Sequence, residues 1–456
     1  MSLFRTKPIN ADAYCDTGLK RCLSAMDLTL LGIGAIIGAG IFVLTGIAAA
    51  KSAGPAIVLS YVVSGFACAF AALAYAELAA SVGGCGSAYG YAYAGLGEII
   101  AWIIGWDLIL EYGVATAAVA IGWAGYVNNA LTAMGMPLPM AVLKSPVEGG
   151  IVNLPALLIV LTLAVLLSIG VRQSARFNAV MVLVKLLAIT TFVAVAAFHV
   201  QPANWQPFMP FGWEGVMGGA ALIFFAYIGF DAVSTAAEEA VNPQRDLPIG
   251  ILLSLAVCTV IYVVVAGLLT GIVPYYTLNV ASPVADSLLR IGYPWAAAFI
   301  AAGAIAGLTT VMLVLYYGLT RVFLAMSRDG MLPPLFSAIN KSTHTPVRVI
   351  MASGVLIAAI AGFTPIGDVA ELVNIGTLAA FVLVCAGVIH LRYTRPDLKR
   401  PFRTPFGSVT PLLGIVFCVY LMLSLPPVTW MRFGVWLALG AVIYFTYSRT
   451  HSTLNR

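Results

Sequence analysis

Charged residues are scarce in this sequence. Asp, Glu, Lys and Arg make up 9% of its 456 residues, whereas soluble domains carry about 25%. Hydrophobic residues reach 61%, and the mean hydropathy is +0.99. A chain so poor in charge does not have the composition of a soluble globular protein, and we predict an integral membrane protein.

Metal-binding and redox residues are also few. The four His and seven Cys show no paired spacing, which argues against a metal centre and against a disulfide scaffold. The sequence has no G-x-S-x-G or H-E-x-x-H motif, and the glycine-rich GGCGSAYG at 83–90 misses the G-x-G-x-x-G spacing. We therefore predict no enzyme, no cofactor and no metal. The sequence has no basic cluster with interleaved aromatics, so it does not suggest a nucleic acid partner.

Long apolar runs, in contrast, recur along the chain. A helix needs about 20 apolar residues to cross a hydrocarbon core of about 30 Å. The runs predict an all-α membrane protein with twelve transmembrane helices, because the alternation of a membrane β-barrel is missing. The predicted spans are 27–50, 54–80, 97–126, 154–172, 177–199, 214–237, 248–272, 293–327, 347–363, 370–391, 409–425 and 432–448.

Basic residues predict the orientation of these spans. Residues 1–26 lack an apolar core and lead into the first span, so the N-terminus is expected to stay cytoplasmic. Most of the 23 Lys and Arg then fall on the cytoplasmic side, as the positive-inside rule requires. We expect both termini in the cytoplasm and the protein in the plasma (inner) membrane. The basic segment 391–407 is either a solvated loop that enforces topology or a contact for anionic membrane lipid.

Two spans are interrupted near their middle. The first carries four glycines between positions 32 and 40, and the sixth contains FFAYIGFDAV at 224–233. Glycine costs a helix about 1 kcal/mol and permits the backbone to unwind. The GAIIG at 34–38 is also a G-x-x-x-G packing motif, so close helix packing is the alternative explanation for the first cluster. Packing gives no reason for a second interruption five spans later.

Interruptions five spans apart divide the chain into two nearly equal halves. Because each half has an odd number of spans, the second half crosses the membrane in the opposite sense. This is the five-plus-five inverted repeat of many secondary transporters, in which the substrate binds where broken helices 1 and 6 meet. The predicted parts are an N-terminal segment, two repeats, two further helices and a tail, at 1–26, 27–200, 214–391, 409–448 and 449–456.

The chemistry of a broken helix predicts the kind of ligand. Unwinding frees N–H and C=O groups that hydrocarbon cannot satisfy. The N–H groups at the start of a half-helix suit a carboxylate, and the freed carbonyls suit an ammonium group. A site that offers both at close range matches an α-amino acid.

Four ionisable residues stand out within the predicted spans, where an ionisable residue costs about 2.5–3.5 kcal/mol to insert. Asp107 and Glu111 share one helix face; they either receive a cationic side chain or a proton, or they bind neighbouring helices. Lys185 is surrounded by aliphatic residues and is a candidate proton carrier, unless it snorkels to the interface. Asp231 is expected to cap or hinge the sixth span.

Six stretches carry a family resemblance. They are GIGAIIGAGIFVLTG, SAGPAIVLSY, GSAYGYAYAGLGE, FFAYIGFDAVSTAAEEAVNPQRDLPIGI, GLTRVFLAMSRDGMLP and RPFRTPFG. Together they resemble the cationic amino acid transporter family, within the amino acid, polyamine and organocation transporter superfamily. The resemblance covers nearly the whole chain and implies a LeuT-like fold with broken helices 1 and 6 and two extra helices.

The resemblance also implies roles for individual residues. It places substrate on the first break at Ile36, Gly38, Ala39 and Gly40, and on the second break at Phe225, Ala226 and Ile228, with Phe225 as an aromatic gate. Lys185 matches the lysine that replaces sodium in proton-coupled members. Asp107 and Glu111 match acidic residues of bacterial members. Ala39 lacks the hydroxyl that some bacterial relatives show there, so one bond to the substrate carboxylate is missing.

The sequence thus predicts a secondary active transporter that imports L-amino acids, cationic or small neutral or both, by alternating access. Proton symport is the expected coupling. The alternatives are an exchanger without net proton movement and, in a different class, an amino acid channel or receptor. The expected partners are the amino acid, protons and membrane lipid; a small membrane subunit is not predictable from the sequence.

Overall fold

A computed structural model of the protein describes most of the chain. Much of the predicted N-terminal segment 1–26 lies outside the described residues, as does 83–87 of the glycine-rich stretch. The described residues are 5–7, 23–82, 88–170, 175–236, 240–340, 343 and 345–455.

The described residues are helical, in agreement with the predicted class. They form no strand, and an isolated parallel bridge joins Leu23 to Ala240. The α-helices are α1 (Ala25–Ile36), α2 (Thr45–Ala48), α3 (Ile57–Val82), α4 (Ala88–Gly95), α5 (Glu98–Ala133), α6 (Leu154–Ile169), α7 (Ala175–Ala196), α8 (Gly212–Ile223), α9 (Ala232–Thr235), α10 (Pro243–Ile272), α11 (Pro283–Arg290), α12 (Pro294–Arg328), α13 (Val347–Phe363), α14 (Ile366–Thr394), α15 (Val409–Leu423), α16 (Pro427–Ile443) and α17 (Arg449–His451).

Eight helical segments within the described residues are long and apolar enough to cross a membrane. The first of them, Ala25–Val82, contains both of the first two predicted spans. Three predicted spans correspond to shorter apolar helices, namely α6, α13 and α15. The protein is therefore an integral membrane protein, while twelve crossings and the inverted repeat stay predictions.

Packing between a few pairs of helices positions the two interrupted spans. The long helix α5 packs against α12 and α14, α3 packs against α10, and α1 packs against α10 and α7. Small residues bring α1 and α10 together, because a Cβ added at Gly250 would lie 2.8 Å from the Cβ of Leu28. Such close approach of backbones is the usual way in which membrane helices associate.

The buried carboxylate of Glu77, near the end of α3, is paired with arginines. Glu77 of α3 accepts bonds from Arg392 Nε (2.9 Å) and Nη2 (2.5 Å) and from the backbone N–H of Thr404 (2.7 Å), with Arg400 Nε at 3.7 Å. Two arginines of the basic segment 391–407 thus point to Glu77. Neither predicted alternative, a solvated loop or a lipid contact, describes these two side chains.

The two ends of the described chain meet at Glu98, the first residue of α5. Its carboxylate accepts from Ser452 Oγ (2.7 Å) and Tyr444 Oη (3.1 Å), and Arg5 Nη2 lies 3.5 Å away. Lys7 pairs nearby with Asp329, at the end of α12, over 2.6 Å. We call this side of the molecule the terminal face.

We expect Glu77→Ala to lower the free energy of unfolding by about 3 kcal/mol, because removing one partner of a buried ion pair leaves the other charge uncompensated. SDS titration of the purified protein in mixed micelles measures this change. Asp397→Ala is the control, since Asp397 is 76% exposed and lies 3.9 Å from Arg395. Similar losses in both variants would contradict a stabilising role for the Glu77 network.

Candidate functional site

The first break follows α1. Ile37 leaves the helix with an extended backbone (φ −72°, ψ 97°), and Gly38 follows it. The chain then re-enters a wide helical turn, a π-helix over Gly40–Leu44. Such π turns are frequent at functional sites. Helix ends leave backbone carbonyls and N–H groups without regular intrahelical partners, although the Phe42 N–H here donates to Gly38 O at 3.4 Å.

The glycines of the first span have two different functions. Added Cβ atoms at Gly32 and Gly34 would lie 2.5 Å from Ser254 Oγ and 2.9 Å from Asn178 Oδ1. These two glycines therefore let α1 pack closely on α10 and α7. At Gly38 the nearest atom outside the break is 3.5 Å away, on Val311, which is ordinary contact. The packing explanation applies to Gly32 and Gly34, and the helix opens next to Gly38.

The second break follows α8. A 3₁₀ turn covers Phe224–Tyr227, and Ile228 is extended (ψ 135°). Gly229 has φ +120°, and a Cβ there would lie 2.9 Å from the carbonyl carbon of Ala35. Both facts require glycine at this position. Gly229 thus brings the second break against the last turn of α1.

The two breaks touch through their backbones. A Cβ added at Gly40 would lie 2.3 Å from the Cα of Ala226. All seven residues predicted to bind substrate through the breaks are buried and lie in or directly beside these two segments. They are Ile36, Gly38, Ala39 and Gly40 at the first break, and Phe225, Ala226 and Ile228 at the second.

Tyr262 of α10 joins the breaks, and the sequence reasoning missed it. Its hydroxyl donates to Ile36 O at 2.8 Å and to Ala226 O at 2.9 Å. The side chain is fully buried, and its ring lies 5.3 Å from that of Tyr61 and 5.5 Å from that of Tyr227. A lone tyrosine within the aliphatic run CTVIYVVVAG was the available signal.

Lys185 of α7 is fully buried and donates from Nζ to Gly34 O at 2.6 Å. Its aliphatic part lies against Gly307, where an added Cβ would be 2.8 Å from Cε. The side chain does not snorkel. It contacts α1 one turn before the first break.

Asp231 closes the second break. Its Oδ1 accepts from the Gly229 N–H at 3.2 Å, and its Oδ2 accepts from Tyr112 Oη at 3.1 Å. The carboxylate bonds to the backbone of the break and to α5. Asp231 precedes α9 but its side chain makes no cap bond to that helix, and its role as a cap or hinge stays a prediction.

Asp107 and Glu111 are buried on α5, next to α14 and Asp231. A Cβ added at Gly376 would lie 2.5 Å from Asp107 Oδ1, and Glu111 lies within electrostatic range of both Asp107 and Asp231. Within the described part of the chain, Asp107 Oδ1 and Glu111 Oε1 have no hydrogen-bond partner. A Cβ added at Gly40, in the first break, would meet atoms of Ala226 and not of this acidic pair. Substrate contact by this pair stays a prediction.

Metal-ligating residues do not cluster in the described ranges. No group of three or more His, Cys, Asp and Glu side chains there could hold a metal ion.

We expect Gly40→Ala to weaken amino acid binding at least tenfold, about 1.4 kcal/mol. The added Cβ would meet backbone atoms of Ala226, so the two breaks must separate. Isothermal titration with the purified protein measures the affinity. Gly434→Ala on α16 is the control, because nothing lies within 4 Å of the added Cβ. Unchanged affinity in Gly40→Ala would show that the contact between the breaks does not contribute to substrate binding.

Comparison with known proteins identifies the family of this chain. A family model described as "Amino acid permease" matches residues 23–447. The methylthioribose transporter of Bacillus subtilis is 49% identical over 100% of both chains. The branched-chain amino acid permease of the same organism is 51% identical over 100% of this chain and 99% of its own length. Human cationic amino acid transporter 4 is 38% identical over 86% of this chain and 63% of its own length.

These relatives are transporters and not enzymes, and the resemblance to cationic amino acid transporters is confirmed. The chain belongs to the amino acid permease family.

Proposed function

We propose that the protein is a secondary active transporter that imports L-amino acids into a bacterial cell by proton symport. It works by alternating access in the plasma membrane, with twelve spans, an inverted five-plus-five repeat and both termini in the cytoplasm. The terminal face is then the cytoplasmic face. The contact between the two helix breaks is the observation that carries this proposal.

Each break supplies one kind of backbone group to the proposed substrate. N–H groups at the start of the Gly40–Leu44 turn bind the carboxylate, because they point along the positive end of a half-helix. The carbonyls of Ile36 and Ala226 bind the ammonium, since one atom of Tyr262 already lies within 2.9 Å of both. Opposite charges of an α-amino acid thus find opposite backbone dipoles at one place.

The relatives support amino acids as a class of substrate and do not single out one amino acid. Their names give branched-chain amino acids, cationic amino acids and methylthioribose. Methylthioribose has neither an ammonium nor a carboxylate group, so the backbone groups of the breaks fit it less well. Neutral and cationic amino acids are both candidates for this chain.

Lys185 is the proposed proton carrier. Its Nζ holds Gly34 O of α1 from the neighbouring helix α7. A charged ammonium binds a carbonyl more strongly than a neutral amine does, because charge-assisted bonds are stronger. Gain and loss of a proton therefore change the strength with which α7 holds the first break. Such a differential contact is what coupling requires.

One experiment separates the proposed symporter from its alternatives. Purified protein is reconstituted in liposomes, and uptake of radiolabelled leucine, alanine, lysine, arginine and methylthioribose is measured with and without an inward proton gradient. Accumulation driven by the gradient supports symport. Counterflow without gradient-driven accumulation supports an exchanger. Equilibration without counterflow supports a channel, and binding without uptake supports a receptor.

In this assay, Lys185→Ala should abolish acceleration by the proton gradient, since the titratable contact with Gly34 O is lost. Counterflow should persist. Lys51→Ala is the matched control, because Lys51 is exposed and also lies in the first described span segment. Undiminished accumulation by Lys185→Ala would place the proton site elsewhere.

The acidic pair is expected to influence the choice of substrate. If Asp107 and Glu111 receive a cationic side chain, the double variant Asp107→Asn, Glu111→Gln should weaken lysine and arginine binding about tenfold relative to alanine, because the lost contact is charge-assisted. Competition binding with the purified variant measures the ratio. Equal losses for neutral and cationic substrates would instead indicate that the pair binds neighbouring helices.

A further inference from the structure

The hydroxyl of Tyr262 bonds to carbonyls of both breaks at once. The hydroxyl has one proton to donate, and that proton lies between Ile36 O at 2.8 Å and Ala226 O at 2.9 Å. Both carbonyls belong to residues buried in the protein. Buried carbonyls without a donor are costly, and the cost is greatest in a membrane interior.

The partner of these carbonyls belongs to the chain itself. Tyr262 is part of α10, which continues unbroken from Pro243 to Ile272. Backbone contact at Gly40 and Ala226 accompanies the bonds. The Tyr262 hydroxyl can therefore share its proton between the two carbonyls while the breaks are in contact.

We infer that Tyr262 is a positioning residue that lets the transporter close and reorient without substrate. Its hydroxyl donates to the two carbonyls that the substrate ammonium binds in the loaded protein. The inference rests on the proposed symport, because a symporter must return empty after each delivery, whereas an obligatory exchanger returns loaded. Tyr262 thus acts in the return step of the empty transporter, whereas Lys185 acts in proton coupling.

A separate readout for each half of the cycle tests this role. Net uptake driven by a proton gradient includes the empty return. Exchange of external labelled leucine for internal leucine does not, since the protein is loaded in both directions. Loss of the hydroxyl should therefore slow net uptake and spare exchange. A general packing defect would slow both.

Tyr262→Phe removes the hydroxyl and keeps the ring that packs on Tyr61 and Tyr227. We expect net uptake by this variant to fall at least tenfold, with exchange within about twofold of the parent. Tyr227→Phe is the matched control. It removes a buried hydroxyl of the same aromatic group that donates to Tyr61 O at 2.8 Å and joins only one break to α3. In the control, net uptake and exchange should change by the same factor.

Replacement of Tyr262 by p-fluorophenylalanine gives a second variant without a donor. Fluorine fills the space of the hydroxyl but has no proton to donate, so the ratio of net uptake to exchange should fall as it does in Tyr262→Phe. This variant decides the question alone if Tyr262→Phe does not assemble, since its ratio must then fall below that of the parent.

The outcomes distinguish the inference from the proposed function. If the parent accumulates leucine but Tyr262→Phe loses net uptake and exchange equally, the inference is wrong and symport stands. An unchanged ratio in both Tyr262 variants likewise overturns the inference alone. If the parent itself exchanges without accumulating, symport fails, and the inference fails with it because Tyr262 is then present without an empty return.

Discussion

Backbone carbonyls released inside the protein constrain the rest of the structure. A helix that opens in the middle of an apolar domain leaves polar groups that neither lipid nor aliphatic side chains can satisfy. Here the last turn of α1 meets two donors from neighbouring helices, Lys185 at Gly34 O and Tyr262 at Ile36 O. Each donor comes from a continuous helix that packs against α1. The position of the break is therefore held by the neighbouring helices and not by the backbone of the break itself.

Glycine makes this arrangement sterically possible. Gly229 takes a backbone conformation with φ +120° against Ala35, and Gly40 lies against Ala226. Gly307 leaves room for the aliphatic part of Lys185, and Gly376 leaves room for Asp107. Polar side chains thus reach the interior where the facing helix has no Cβ. In a close-packed interior, one added methyl group at such a place must displace a neighbour.

Local patterns in the sequence predicted the features that depend on local chemistry. The clustered glycines and FFAYIGFDAV located both breaks, and the aliphatic surroundings of Lys185 singled it out. Pairings between distant segments were out of reach: Glu77 meets Arg392, 315 positions away, and Ile36 meets Tyr262, 226 positions away. Glycine alone also gave no means of separating Gly32, which packs on α10, from Gly38, which lies in the break. That difference depends on what faces each residue.

Lys185 and Tyr262 bind carbonyls only two residues apart, and this spacing relates coupling to closure. Gly34 O and Ile36 O belong to the same last turn of α1, so a shift of that turn changes both bonds together. The lysine donor carries a charge when it is protonated, whereas the tyrosine hydroxyl donates as a neutral group. In the proposed symport the lysine contact responds to protonation, while the tyrosine contact extends through Ala226 to the second break. Under that proposal, a proton at α7 alters the fit between the two breaks without touching the substrate. Because packed interfaces switch between discrete arrangements, a small movement at Gly34 is enough to favour one of them.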